Sequence, residues 1–123
     1  MEATSKMRRV LIVDDDRAMV RLLTMWLEME GWRVSGVARG EPVLEIGHEN
    51  GIDAFVIDCH LPDIDGLELV RAIRADKELA GKVVIAASGR ELEKEALSAG
   101  ADVFLYKPFL PSDLSTRLEE LVK

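Results

Sequence analysis

Five side chains in this sequence could handle a phosphoryl group, and all five stand at the same kind of place. Asp14 and Asp15 follow the run Arg9-Val10-Leu11-Ile12-Val13, and Asp58 ends Ala54-Phe55-Val56-Ile57. Ser88 follows Lys82-Val83-Val84-Ile85-Ala86-Ala87, and Lys107 follows Asp102-Val103-Phe104-Leu105-Tyr106. Short apolar runs bounded by turn residues read as buried strands. In a parallel sheet the ends of such strands share one edge, the edge where open α/β sheets bind ligands. Three carboxylates gathered there repel one another and raise some of their pKa values. A hard divalent cation removes that cost, and oxygen-only ligands with water positions suit Mg²⁺, with Mn²⁺ as the substitute. Lys107 supplies a compact point charge for a phosphoryl oxygen, and Ser88 donates a hydrogen bond to another. Asp58 remains as a carboxylate nucleophile able to form an acyl phosphate. Phosphoryl transfer needs mainly positioning and charge neutralisation.

The elements that must position these groups alternate strictly. After Asp16, placed as an N-cap, the stretch from Arg17 reads as a helix with Met19, Leu22, Leu23, Trp26 and Leu27 at helical spacing, stopped by Gly31. Met19, Met25 and Met29 are expected mostly in the core, and Trp26 and Trp32 as packing residues. Trp32–Val37 reads as a less apolar edge strand. Glu41-Pro42 opens a second helix with Pro at its first position, an apolar face of Val43, Leu44 and Ile46, and Gly47 and Asn50-Gly51 ending it. A third helix spans about Gly66 to Ala75, with Leu67, Val70 and Ile73 inward. A short fourth covers Glu91–Ala99, and a fifth starts at Pro111 with Leu114, Leu118 and Leu121 as its buried stripe. Five strand–helix units imply a parallel sheet with helices on both faces and right-handed crossovers.

The bulk numbers agree. A chain of 123 residues, 48% hydrophobic and 32% charged, suits one soluble domain. The expected division is a loose tail over residues 1–7 and a single domain over 8–123. A net charge of −7 argues against a nucleic-acid surface. The single cysteine, Cys59, excludes an internal disulfide and fits a reducing compartment. No signal peptide or membrane span is visible, so a cytoplasmic protein is expected.

In combination, VLIVDDD, the stretch Asp58-Cys59-His60-Leu61-Pro62-Asp63-Ile64-Asp65-Gly66, the pair Ser88-Gly89 and GADVFLYKPF resemble the receiver (CheY-like) domain of two-component response regulators, from about Arg9 to Val122. The resemblance implies a doubly wound (βα)5 fold with strand order 2-1-3-4-5. It makes Asp58 the phosphoacceptor and places Asp15, Asp58 and the backbone carbonyl of His60 on Mg²⁺, with Asp14 acting mainly through a water. Ser88 would hold the phosphoryl group and shift inward, Lys107 would pair with its oxygens, and Phe104 would be the aromatic that rotates as Ser88 moves. Pro108 would follow a cis peptide. His60 and Arg90 fall at positions that vary in the family and bear on acyl-phosphate lifetime, and Tyr106 could belong to the output face. The donor would be a histidine kinase, a histidine phosphotransfer protein or a small-molecule phosphodonor. The readout would be a shift of the face made by the fourth helix, fifth strand and fifth helix toward a downstream protein. The implied state is a monomer or a weak phosphorylation-dependent dimer.

Taken singly, each residue has a plainer reading: Asp58 as a turn residue, Asp14 and Asp15 as a solvated turn, Lys107 as a surface lysine, Phe104 as core. The side chain of His60 is expected to face solvent, His48 to lie on the surface, and Cys59 to be a small buried group. The alternatives are a receiver-like interaction module that works without phosphorylation and an aspartyl-nucleophile phosphatase. The first fits chains that have lost an acidic, hydroxyl or lysine position, and this chain retains all of them. The second needs a general-acid Asp two residues after its nucleophile, where this chain has His60.

Overall fold

The computed structural model describes residues 7–123; all of the expected tail but Met7 lies outside the described residues. Ten elements alternate: β1 (Arg9–Val13), α1 (Arg17–Met29), β2 (Arg33–Val37), α2 (Val43–Asn50), β3 (Ala54–Asp58), α3 (Gly66–Ala75), β4 (Val83–Ser88), α4 (Glu93–Ala99), β5 (Val103–Tyr106) and α5 (Pro111–Leu121). The five strands form one parallel sheet in the order β2-β1-β3-β4-β5. This is the expected doubly wound topology, with β2 at an edge.

The central strands are apolar on both faces because both faces are covered. Leu11, Val13, Phe55, Ile57, Val84 and Ala86 pack with α2, α3 and α4 on one side. Val10, Ile12, Ala54, Val56 and Ile85 pack with α1 and α5 on the other. Phe55 is fully buried, so its truncation to Ala would cost about 3–5 kcal/mol. Helices α1 and α3 start where side-chain carboxylates can accept orphan backbone N–H groups. Asp16 accepts from the Met19 N–H at 3.1 Å, and Asp65 from the Leu67 N–H at 2.8 Å.

Five details depart from the sequence expectations. Only Leu23 and Leu27 of α1 are buried; Leu22, Met25, Trp26 and Met29 are exposed. The helix periodicity fitted both sets, and burial selected the pair facing the sheet. Of the two tryptophans, Trp32 alone is buried. Pro42 caps α2 and does not occupy its first position. Gly47 does not end α2 either: the helix runs through it to Asn50, and a Cβ there would lie 3.0 Å from Leu79 Cδ1 and Phe55 Cζ. The absence of a side chain admits the helix to the sheet. In α5, Leu114 and Leu118 are fully buried and Leu121 only partly.

Candidate functional site

The C-terminal edge of the sheet is held together by backbone hydrogen bonds next to the five reactive groups. The Asp14 N–H donates to Val37 O at 3.0 Å, Cys59 N–H to Ala87 O at 2.9 Å, and Lys107 N–H to Ser88 O at 2.9 Å. Gly66 fixes the return of the β3–α3 loop. Its N–H donates to Cys59 O at 3.0 Å, and a Cβ there would lie 2.2 Å from the backbone oxygen of Asp58. A larger residue would push α3 off the strand end that carries Asp58. Asp63 ties the same loop to the start of α2, accepting from the Gly40 and Glu41 N–H groups at 2.9 Å each. Those bonds, the Gly40 bond first, hold its carboxyl below the usual range. The sequence signal for this tie is local only, a carboxylate in a turn beside Pro62.

The carboxylates of Asp14, Asp15 and Asp58 converge, each offering an oxygen within 4.8 Å of the others. Asp14 and Asp58 are buried and Asp15 is exposed. Both Asp14 oxygens are engaged: Oδ1 accepts from the Asp16 N–H at 2.9 Å and Oδ2 from Lys107 Nζ at 2.8 Å. Asp58 Oδ1 accepts from the His60 N–H at 3.1 Å, and its Oδ2 lies 3.4 Å from Lys107 Nζ. Burial raises the Asp58 pKa, the Asp14 charge adds to that, and the His60 N–H and Lys107 oppose it. For Lys107, burial acts to lower the pKa, but the hydrogen bond and charge of Asp14 outweigh it and hold the ammonium above its ordinary value. Three carboxylates against one ammonium leave an excess of negative charge, and the donor set is all oxygen. This fits a hard divalent cation.

Ser88 is fully buried at the end of β4. Its Oγ accepts from the Arg90 N–H at 3.0 Å and lies 3.1 Å from His60 Nε2. His60 is exposed, as expected, and its imidazole also closes a hydrogen bond across the site to Ser88. That contact joins residues 28 apart, so no local pattern announced it. His60 and Arg90 also border a groove of about 480 Å³ with Asp15, Pro62 and Leu92 on its wall. Phe104 is buried, and Tyr106, exposed, meets it edge-on with ring centroids 4.9 Å apart. The Lys107–Pro108 peptide is cis. Cys59 is buried, and burial pushes its thiol up to about 11, which keeps it protonated at neutral pH. His48 lies on the surface as expected, between the carboxylates of Asp76 and Glu78. Among the described residues, no helix is long and apolar enough to cross a membrane.

Comparison with known proteins agrees with this geometry. A family model described as the response regulator receiver domain matches residues 10–119. The transcriptional regulatory protein SrrA of Staphylococcus aureus is 31% identical over 115 residues, which are 93% of this chain and 47% of that protein. The chain thus spans about half the length of the curated relatives it matches. The solved structure of a response regulator receiver domain protein (CheY-like) from Methanospirillum hungatei JF-1 is similar at a TM-score of 0.85 and 33% identity, over 94% of this chain and 93% of that one. The chemotaxis response regulator CheY4 of Vibrio cholerae gives a TM-score of 0.88 at 26% identity, over 95% of this chain and all of the other.

Proposed function

The chain belongs to the response regulator receiver family of two-component signalling, and on that footing we propose that it accepts a phosphoryl group on Asp58 and signals by the change that follows. Residues 8–123 act as one receiver domain in this reading. The observation that carries it is the placement of Asp58: a buried carboxylate at a strand end, beside Lys107 Nζ and within reach of two more carboxylates.

The donor is a phosphohistidine of a histidine kinase or phosphotransfer protein, or a small acyl phosphate. An Asp58 oxygen attacks phosphorus, the bond from phosphorus to the donor nitrogen or oxygen breaks, and the electron pair leaves with the donor. Asp14, Asp15 and Asp58, with the His60 carbonyl, would hold Mg²⁺, which would supply charge neutralisation for the carboxylates and the phosphoryl oxygens. Lys107 takes one phosphoryl oxygen as a point charge. Ser88 gives up its contact with His60 to donate to another. That inward movement vacates space for Phe104, whose rotation carries Tyr106 and alters the face formed by α4, β5 and α5. A downstream protein reads that face as a shift between two conformations.

The test is direct. With Mg²⁺ and acetyl phosphate the protein takes up one acid-stable, base-labile phosphoryl group, detected by intact mass, and Asp58→Asn takes up none. Equal labelling of the variant removes Asp58 from the role.

A further inference from the structure

Helix α1 presents a second apolar stripe that the fold itself leaves uncovered. Leu23 and Leu27 face the core. On the far side Ala18, Leu22, Met25 and Met29 are exposed, Leu22 by 53%, Met25 by 59% and Met29 by 85%. No described residue covers them. Their spacing of four, three and four makes one continuous seam along the helix, the a/d spacing of a two-stranded coiled coil. One flank of the seam is apolar, with Trp26 at 40% exposure and half-buried Met19. The other flank is charged, with exposed Arg21 and Glu28.

We infer that this seam docks on the same seam of a second copy of the chain, the two α1 helices antiparallel about a two-fold axis between Leu23 and Thr24. In that arrangement Leu22 meets Met25 of the second copy, and Ala18 meets Met29 of the second copy. The flanks then complement themselves. Arg21 falls opposite Glu28 of the second copy, twice by symmetry, and Trp26 falls opposite Met19 of the second copy. Any apolar helix could cover the seam, but this charge placement selects the reversed copy of the helix itself. A parallel pair would set Arg21 against Trp26 and leave Glu28 with no residue of opposite charge on the facing helix. The contact is isologous, so it closes at two chains. With 13 residues in α1 the helix is about 20 Å long and the seam from Ala18 to Met29 about 17 Å, below the size of a standard stable interface. The association is therefore weak, with a Kd on the order of 100 μM. None of the seam residues belongs to the acidic site, so the dimer forms with or without phosphorylation.

Sedimentation equilibrium of the full chain up to about ten times that Kd tests this. The mass should rise with concentration from that of one chain, 13.7 kDa, toward that of two. Arg21→Glu and Glu28→Arg should each weaken the dimer about tenfold, since each breaks two symmetry-related pairs and opposes like charges. The double variant should return to within about threefold of wild type, a recovery that only pairing of these two positions explains. Met25→Glu, or Leu22→Gln should that variant fold poorly by circular dichroism, should abolish the dimer. A mass fixed at one chain at every concentration overturns the inference. So does a dimer indifferent to Met25→Glu, or a double swap that fails to recover. A monomer in which Met25→Glu only slows phosphoryl transfer from a histidine kinase gives the stripe to that partner, and self-docking fails.

Discussion

The two ends of the sheet both gather charge, and they treat it in opposite ways. At the N-terminal edge, Arg74 at the end of α3 is surrounded by acceptors. Its Nε donates to Gly100 O at 2.7 Å, one terminal nitrogen to Ala80 O at 2.8 Å and Lys82 O at 2.6 Å, and the other to Asp102 Oδ2 at 2.9 Å. Asp102 in turn accepts from the Val84 N–H. One cation joins α3, the loop before β4 and the turn before β5, and its charge is answered within the chain. At the C-terminal edge, three carboxylates converge, two of them share Lys107, and burial raises the pKa of Asp58. A charge arrangement that satisfies itself is a clamp. One that is left in excess has to be completed from outside, and that separates a site from a scaffold in this molecule.

Breaking the clamp should have the largest effect on stability. Arg74→Ala strands three backbone carbonyls and one carboxylate, and should lower the unfolding free energy by about 3 kcal/mol in urea titration. Phosphoryl uptake by the folded fraction should stay at one per chain. A loss under about 1 kcal/mol would erase the contrast between the two edges.

At the other edge, removing a charge should have the opposite sign. The folded pKa of Asp58 lies above its unfolded value of 3.8. The folded state therefore holds a proton that the unfolded state has lost, and this support disappears as pH rises through the raised value. At neutral pH the buried charge is a net cost. Asp58→Asn in the presence of a chelator should therefore raise the melting temperature, by an amount on the order of 1 kcal/mol of stability. A lower melting temperature would mean that the Lys107 contact outweighs burial.

The smallest effect belongs to the surface pairing of His48 with Asp76 and Glu78. The Asp76 hydrogen bond, helped by its charge and by Glu78, raises the imidazole pKa above 6.5 and outweighs the opposing desolvation. For a base with a raised folded pKa, the stabilisation is complete below 6.5 and is lost as pH rises through the raised value. His48→Gln should flatten the pH dependence of the urea midpoint in that window and leave it unchanged elsewhere. An unchanged slope would show that solvent screening cancels the pair.

Much of the site was legible because its residues follow directly from strands whose apolar runs are hard to misread. Buried parallel strands are nearly continuous in apolar residues, so each run announces both the strand and the position of its last residue. That is enough to bring Asp14, Asp15, Asp58, Ser88 and Lys107 to one edge before any coordinates are known. The cap at Asp16 is equally local, a side chain and a backbone N–H three residues apart.

What the chain order could not convey depends on distance through space. The helical period of α1 admitted Leu22, Leu23, Trp26 and Leu27 alike, and only the sheet beneath it separated buried Leu23 and Leu27 from the exposed seam. Gly47 read as a stop because its neighbours in Leu79 and Phe55 are far away in sequence. The bond from His60 to Ser88 and the acceptors around Arg74 likewise join residues from separate elements. Residue types and local periodicity are properties of a short window, so the sequence determines strands, caps and the chemistry at strand ends. Which side of a helix is covered, which glycine is needed for contact and which charges are answered are settled only when the sheet closes and distant residues share the same few ångströms.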